Sequence, residues 1–214
     1  FPTLRCSDLG EIDWTEGIPL TQIKWIKQNM PGELRTAPYL GNYYYGFNLT
    51  QPPFKNNLAL RRALTIAVDR DILVKKVLGT NQQPAYSWVP PVTHYTQQIP
   101  EWASWPRDKQ LAEARRLYAE AGYSADKPLK LELRYNTSED HKKIAVVIAA
   151  IWKQFPGVDT TRINEEFQVI LKNRTLKKVT QVLRAGWIGD YNDAFTFSEL
   201  LHSSNANNDD GSAS

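Results

Sequence analysis

An α/β fold is the expectation from this sequence, and three features of its second half carry it. Leu129, Leu131 and Leu133 alternate with Lys130, Glu132 and Arg134, the period-two pattern of a half-buried strand that runs on into Tyr135 and Asn136. Ser138, followed by Glu139 and Asp140, is placed to cap a strongly apolar helix that continues through Trp152. Two further strand-like runs, Val158 to Phe167 and Thr180 to Trp187, enclose a short helical stretch from Gln168 to about Arg174. Strand, helix, strand, helix, strand is the α/β order, and no internal repeat breaks it.

The first half supplies mostly helices. Leu20, Ile23, Ile26 and Met30 fall near helical spacing after Pro19, and Pro31-Gly32 ends that helix. Arg35 to Asn48 carries Tyr39, Tyr43, Tyr44, Tyr45 and Phe47, an aromatic-rich run that favours strand. After Pro52-Pro53, Leu60, Leu64, Ala67 and Val68 form a helical stripe, and Ile72 to Val77 predict a second helix stopped by Gly79. Prolines and aromatic residues between Pro84 and Pro106 preclude regular helix and leave a long packed loop. Leu111, Ala114, Leu117 and Ala121 restore helical period from Asp108 to Ala121, with Gly122 as terminator. A last helix is expected from Asp193 to about His202.

At 214 residues with 42% apolar content, the chain is long enough for one substantial core. Its 26 basic and 23 acidic residues leave a net charge of only +3, and the basic residues are dispersed apart from pairs such as Lys75-Lys76 and Lys142-Lys143. That distribution calls for neither nucleic acid nor a membrane surface as partner, and no apolar run is long enough to span a bilayer. One cysteine, Cys6, precludes an internal disulfide and any multi-cysteine metal site. His94, His141 and His202 share no zinc-type spacing, and no Gly-x-Ser-x-Gly elbow, phosphate loop or dinucleotide fingerprint is present. The expectation is a binding module with no catalytic machinery, cofactor or metal. Both ends read as cut points or frayed edges, the last residues being small and polar.

Four ordered motifs bring a family resemblance. Arg61-Arg62-Ala63-Leu64 through Asp69-Arg70-Asp71-Ile72 resembles the signature helix pair of the extracellular solute-binding proteins for peptides. Ala119-Glu120-Ala121-Gly122-Tyr123, then Tyr135-Asn136-Thr137-Ser138 with His141, then Arg184-Ala185-Gly186-Trp187-Ile188-Gly189-Asp190-Tyr191-Asn192 follow in the family's order. The likeness runs from about Gly10 to about Asn207. It implies a lobe like those of type II periplasmic binding proteins, with a mixed central sheet flanked by helices, in a two-lobed protein that hands short peptides to the membrane permease of an ABC importer. On this expectation residues 1–36 lead out of the first lobe or hinge, 37–207 form the peptide-binding second lobe, and 208–214 are a polar tail. The first lobe and the final return segment are the missing partners. The implied compartment is the periplasm, or the cell surface as a lipoprotein in a Gram-positive organism. Family members often carry a disulfide where Gly41 and Ile188 stand here, and often a tryptophan where Phe167 stands.

A peptide entering a cleft must keep its main-chain groups paired, since each unsatisfied one costs on the order of 1–3 kcal/mol. A strand edge supplies those partners whatever the side chains. Arg184 to Trp187 is the candidate edge, with Gly186, Ile188 and the facing Gly41 counted among the contacts. The peptide's ammonium needs a carboxylate. Asp190 sits just past that edge and the resemblance puts the family's ammonium anchor on it; on spacing alone it equally caps a helix or turns the chain. For the peptide carboxylate, the motif positions offer His141, Arg174 and Arg184. Their alternatives are a solvent-facing first-turn histidine and surface or inter-strand salt bridges. Trp187 and Phe167 are the expected pocket walls, and Tyr39 and Tyr44 are aromatic candidates that could instead be core. The competing function on the same fold is a non-transport sensor, or a carrier of murein peptide, heme or a metal chelate.

Overall fold

The computed structural model describes residues 18–37, 39–176 and 181–202. The expected leading segment as far as residue 17, Thr180 and the polar tail 208–214 lie outside the described residues. Among the described residues the helices are α1 (Ile23–Asn29), α2 (Leu58–Ala67), α3 (Arg70–Ile72, continuing as π-helix over Leu73–Leu78), α4 (Arg107–Glu120), α5 (Glu139–Trp152), α6 (Phe167–Leu176) and α7 (Phe195–Ser198). Strands β1 (Gly41–Phe47), β2 (Leu129–Asn136), β3 (Val158–Glu165) and β4 (Val182–Ile188) form one sheet in the order β1-β4-β2-β3. β2, β3 and β4 run parallel and β1 runs against β4, so the sheet is mixed.

The alternation in β2 does what its pattern implies: Leu129, Leu131, Leu133 and Tyr135 are buried, while Lys130 is exposed and Glu132, Arg134 and Asn136 are intermediate. Ser138 caps α5, its side chain accepting from the His141 amide, and the buried face Ile144, Ala145, Ile148 and Trp152 lies on the leucine side of the sheet. Burial of each large aliphatic side chain here, such as Ile144 and Ile148, contributes about 1.5–3 kcal/mol. Behind them α2 and α4 pack through Leu60, Ala63, Leu64, Ala114, Leu117 and Tyr118, and the Trp152 indole donates to the Leu64 carbonyl at 3.1 Å. The first sequence motif acts here as framework. Arg70 lies over the rings of Tyr86 and Trp102 at 5.0 and 5.1 Å, and Arg107 reaches Asp69 at 3.7 Å, so the helix pair clamps the proline-rich loop.

Three boundaries depart from the sequence expectation. β1 starts at Gly41 rather than near Arg35, because only residues from 41 onward have a partner on β4. β3 ends at Glu165, whose carbonyl accepts the Thr137 amide, and Phe167 begins α6 instead of ending the strand, since the Glu166 carbonyl already takes the Ile170 amide at 3.0 Å. The last helix is short, α7 plus a 3-10 turn over Glu199–Leu201, because the Asp193 carboxylate accepts the Phe195 amide at 2.7 Å and holds Asp193 outside it. α6 rests on β2 with only Ile170 buried, and is tied down by polar contacts: Arg134 pairs with Glu132 at 2.8 Å and with Glu165, which accepts from Asn173 at 2.9 Å.

Gly41 and Ile188 are cross-strand partners in a pair that exchanges no main-chain bonds, and the Ile188 Cγ1 lies 3.6 Å from where a Cβ on Gly41 would sit. Such a pair has the close approach a disulfide needs. In a Cys6→Ser background, Gly41→Cys with Ile188→Cys is expected to oxidise to a single bridge, seen as loss of both free thiols, and to raise the urea midpoint by the equivalent of about 2–4 kcal/mol relative to the reduced form. Failure to bridge would contradict this register.

Candidate functional site

The parallel strands β2, β3 and β4 all end on one side of the sheet, and ligand sites in open α/β sheets lie beyond those carboxyl ends. β4 is unequally served by its two neighbours there. β1 pairs with it from Val182 to Ile188, whereas β2 pairs with it only at Leu133↔Val182 and Arg134↔Leu183 and ends at Asn136. The ladder with β1 is bracketed by the Asn48 amide on the Gln181 carbonyl (2.9 Å) and the Gly189 amide on the Leu40 carbonyl (2.8 Å). Antiparallel pairing alternates, so Leu183, Ala185 and Trp187 exchange bonds with β1, and Arg184, Gly186 and Ile188 turn their main-chain groups the other way. Beyond the end of β2, the N–H and C=O groups of Gly186 and Ile188 have no strand beside them among the described residues. That is an open edge.

A charge of each sign stands near it. Arg184 is half-buried on the α5 side of the sheet, with its guanidinium over the Tyr43 ring at 4.6 Å and its Nη1 donating to Asn136 Oδ1 at 3.0 Å. Its Nε is buried without a hydrogen-bond partner, and no carboxylate among the described residues lies within ion-pair distance. His141, in the first turn of α5, packs on Tyr43 with ring centroids 5.6 Å apart, and its Nδ1 lies 3.4 Å from the Tyr43 hydroxyl. Burial, and secondly the Arg184 cation, push His141 down to about 4, so at neutral pH it is an uncharged imidazole rather than a cation. Burial pushes the Tyr43 and Tyr45 hydroxyls upward, which keeps both protonated. Past the other end of the edge, Asp190 is exposed and forms no ion pair among the described residues.

The remaining candidates distribute around this edge. Gly41 lies across from Ile188, which is 54% exposed, and Tyr39, whose carbonyl takes the Gly41 amide, is open to solvent. Trp187 faces the opposite side of the sheet from Arg184, half-buried, with its indole on the Thr196 hydroxyl. Phe167 is 53% exposed at the start of α6, just past the carboxyl end of β3. Arg174 and Tyr44 are set elsewhere: with Arg61, Trp88 and Leu200 they line a cavity of about 400 Å³ that none of Arg184, Gly186, Ile188 and Asp190 reaches. Tyr44 packs edge-on against Trp88 at 4.7 Å. The sequence reading missed Tyr43, Asn136 and Thr196. Strand alternation separates Tyr43 from Tyr44, but its meeting with Arg184 depends on cross-strand register, which no local pattern carries. Among the described residues no group of three or more His, Cys, Asp or Glu side chains gathers as a metal site, and no helix is long and apolar enough to cross a membrane.

The model of the family described as bacterial extracellular solute-binding proteins, family 5 Middle, matches residues 7–209. The periplasmic oligopeptide-binding protein OppA of Salmonella typhimurium is 43% identical over 201 residues, which are 93% of this chain but 37% of that protein. The solved structure of the Escherichia coli murein tripeptide binding protein MppA superposes with a TM-score of 0.90 at 36% identity, covering 99% of this chain and 41% of that one. OppA of Haemophilus influenzae in complex with the peptide RPPGFSPFR gives a TM-score of 0.87 at 34% identity, covering 97% and 41% respectively. The chain therefore spans well under half the length of the proteins it matches.

The depressed imidazole is open to direct measurement. The His141 ring is expected to titrate near pH 4 by NMR rather than near 6.5, and to move upward in Arg184→Ala. Between those values the unfolded chain takes up a proton that the folded one refuses, so this residue's contribution to stability falls as pH drops from 6.5 to about 4 and levels off below. His141→Gln should flatten that part of the urea-midpoint profile; a profile unchanged by the substitution would contradict the assignment.

Proposed function

The chain belongs to the bacterial extracellular solute-binding proteins of family 5, and on that premise we propose that it is the peptide-gripping lobe of a binding protein that delivers short peptides to an ABC importer. The observation that carries the reading is the open edge of β4, with the cation of Arg184 beside it and the carboxylate of Asp190 past its end, neither in an ion pair among the described residues. A free peptide is extended, needs main-chain partners along its length, and brings one charge of each sign at its ends. Added as a strand beside Gly186 and Ile188, it pairs its backbone without regard to sequence, sets its ammonium on Asp190, and runs its carboxyl end toward Arg184 and the neutral His141. Ile188, Phe167, Tyr39 and Trp187 bound the space for its side chains, while Arg174 and Tyr44, which line a separate cavity, take no part.

The two-lobed arrangement belongs to the same proposal. Residues 37–207 supply one wall of a cleft and the other lobe closes it, excluding water and strengthening both end contacts. The named periplasmic relatives support placing the whole protein in that compartment, with the permease of the importer as its membrane partner. A sensor, or a carrier of murein peptide, heme or a metal chelate, is the second reading, and the likeness to the E. coli murein tripeptide binding protein favours its murein-peptide form.

Calorimetric titration of the two-lobed protein with a short peptide series tests the proposal. Submicromolar affinity is expected for free peptides, and blocking the α-amine by acetylation, or substituting Asp190→Ala in a normally folded protein, should weaken binding by about 30-fold or more, the equivalent of ~2–5 kcal/mol. Indifference to acetylation would favour a heme or metal carrier. The chain alone should bind far more weakly than the two-lobed protein, and equal affinity would refute the shared cleft.

A further inference from the structure

A buried hydroxyl joins Trp187 to Asp190, the proposed ammonium anchor. Thr196 in α7 is 0% exposed, and its Oγ1 accepts both the main-chain N–H of Asp190 and the indole N–H of Trp187, each at 3.3 Å. A hydroxyl oxygen has two lone pairs, so it serves both donors at once. The surroundings hold it still. Phe197 is fully buried and its carbonyl takes the Trp88 indole at 2.7 Å, and Leu200 is buried one turn on. Between the two tethered residues, Gly189 has no side chain where a Cβ would lie 3.1 Å from Thr196 Cγ2 and 2.9 Å from Leu40 Cδ2, so the turn after β4 settles directly onto the threonine.

We propose that Thr196 is a positioning residue for peptide binding: by accepting the main-chain N–H of Asp190, its hydroxyl fixes the turn that carries the anchoring carboxylate before the guest arrives. The inference rests on the peptide reading above and extends it to a residue that touches no ligand. An anchor on an exposed turn gives up affinity to whatever ordering it undergoes on binding, and a fixed acceptor beneath the turn removes that cost beforehand. Replacing the acceptor by a methyl of similar shape leaves two donors unserved while keeping the packing.

The test uses the full-length protein that carries this lobe, with Thr196→Val, Thr196→Ser and Asp190→Ala, titrated with trialanine and N-acetyl-trialanine. Thr196→Val is expected to weaken trialanine by about tenfold while Thr196→Ser stays within about twofold of the parent, because serine keeps the oxygen. On N-acetyl-trialanine, and in the Asp190→Ala background, Thr196→Val should change affinity by less than about twofold, since the group it positions is already out of use. Equal weakening of both ligands, or the same loss with and without Asp190, would mark a general packing role and overturn the inference. So would trialanine affinity unchanged in Thr196→Val, with the peptide reading left standing. Absence of trialanine binding by the parent would overturn that reading and this inference with it.

Discussion

The asymmetry of β4 is the constraint on which the rest of the molecule depends. Its hydrogen bonds to β1 extend along the whole strand, while β2 leaves it after two residue pairs, so one strand is firmly held and still half unpaired at its carboxyl end. A buried strand with unpaired main chain is costly, and an exposed one invites association. This chain resolves the conflict by position: the unpaired stretch lies at the sheet's end, where Gly186 and Ile188 are exposed, and the buried stretch, Val182 and Leu183, is where β2 does pair. The proposed pairing with an extended guest then requires no special backbone geometry, only the early end of one neighbour.

The electrostatics follow from the same placement. A half-buried guanidinium beside a sheet edge would ordinarily be expected next to a carboxylate. Here the ring of Tyr43 and the amide oxygen of Asn136 take that role, attractions strong enough to seat the cation but weaker than an ion pair. The charge is left available to an arriving anion. Its proximity, added to burial, is what keeps His141 uncharged, so the corner carries one positive charge instead of two.

Much of the fold was legible in the sequence because it is written in local periods. The leucines of β2, the serine cap of α5 and the glycine stop of α3 at Gly79, whose φ is +66°, each state their role within a few residues. Boundaries failed where hydrogen bonding rather than residue type decides them: β1 is as long as β4 allows, and Phe167 falls to a helix because the Glu166 carbonyl takes the Ile170 amide. The candidate site was legible in part, and for a different reason. Its β4 segment lies in one contiguous motif that a resemblance could flag, whereas Tyr43 and Thr196 reach it only through register and packing, and Asn136, though inside a flagged motif, meets Arg184 only through register. The motif that looked most characteristic, Arg61 to Ile72, turns out to clamp a loop through Arg70 and Asp69, a reminder that a signature can mark scaffold rather than site.

The pairing of Gly41 with Ile188 carries a consequence for where such a molecule could work. At this pair the chain lays a branched hydrocarbon against a bare backbone. The two strands are therefore joined at this point by packing within a main-chain ladder, with no bridge between them for an oxidant or reductant to make or break.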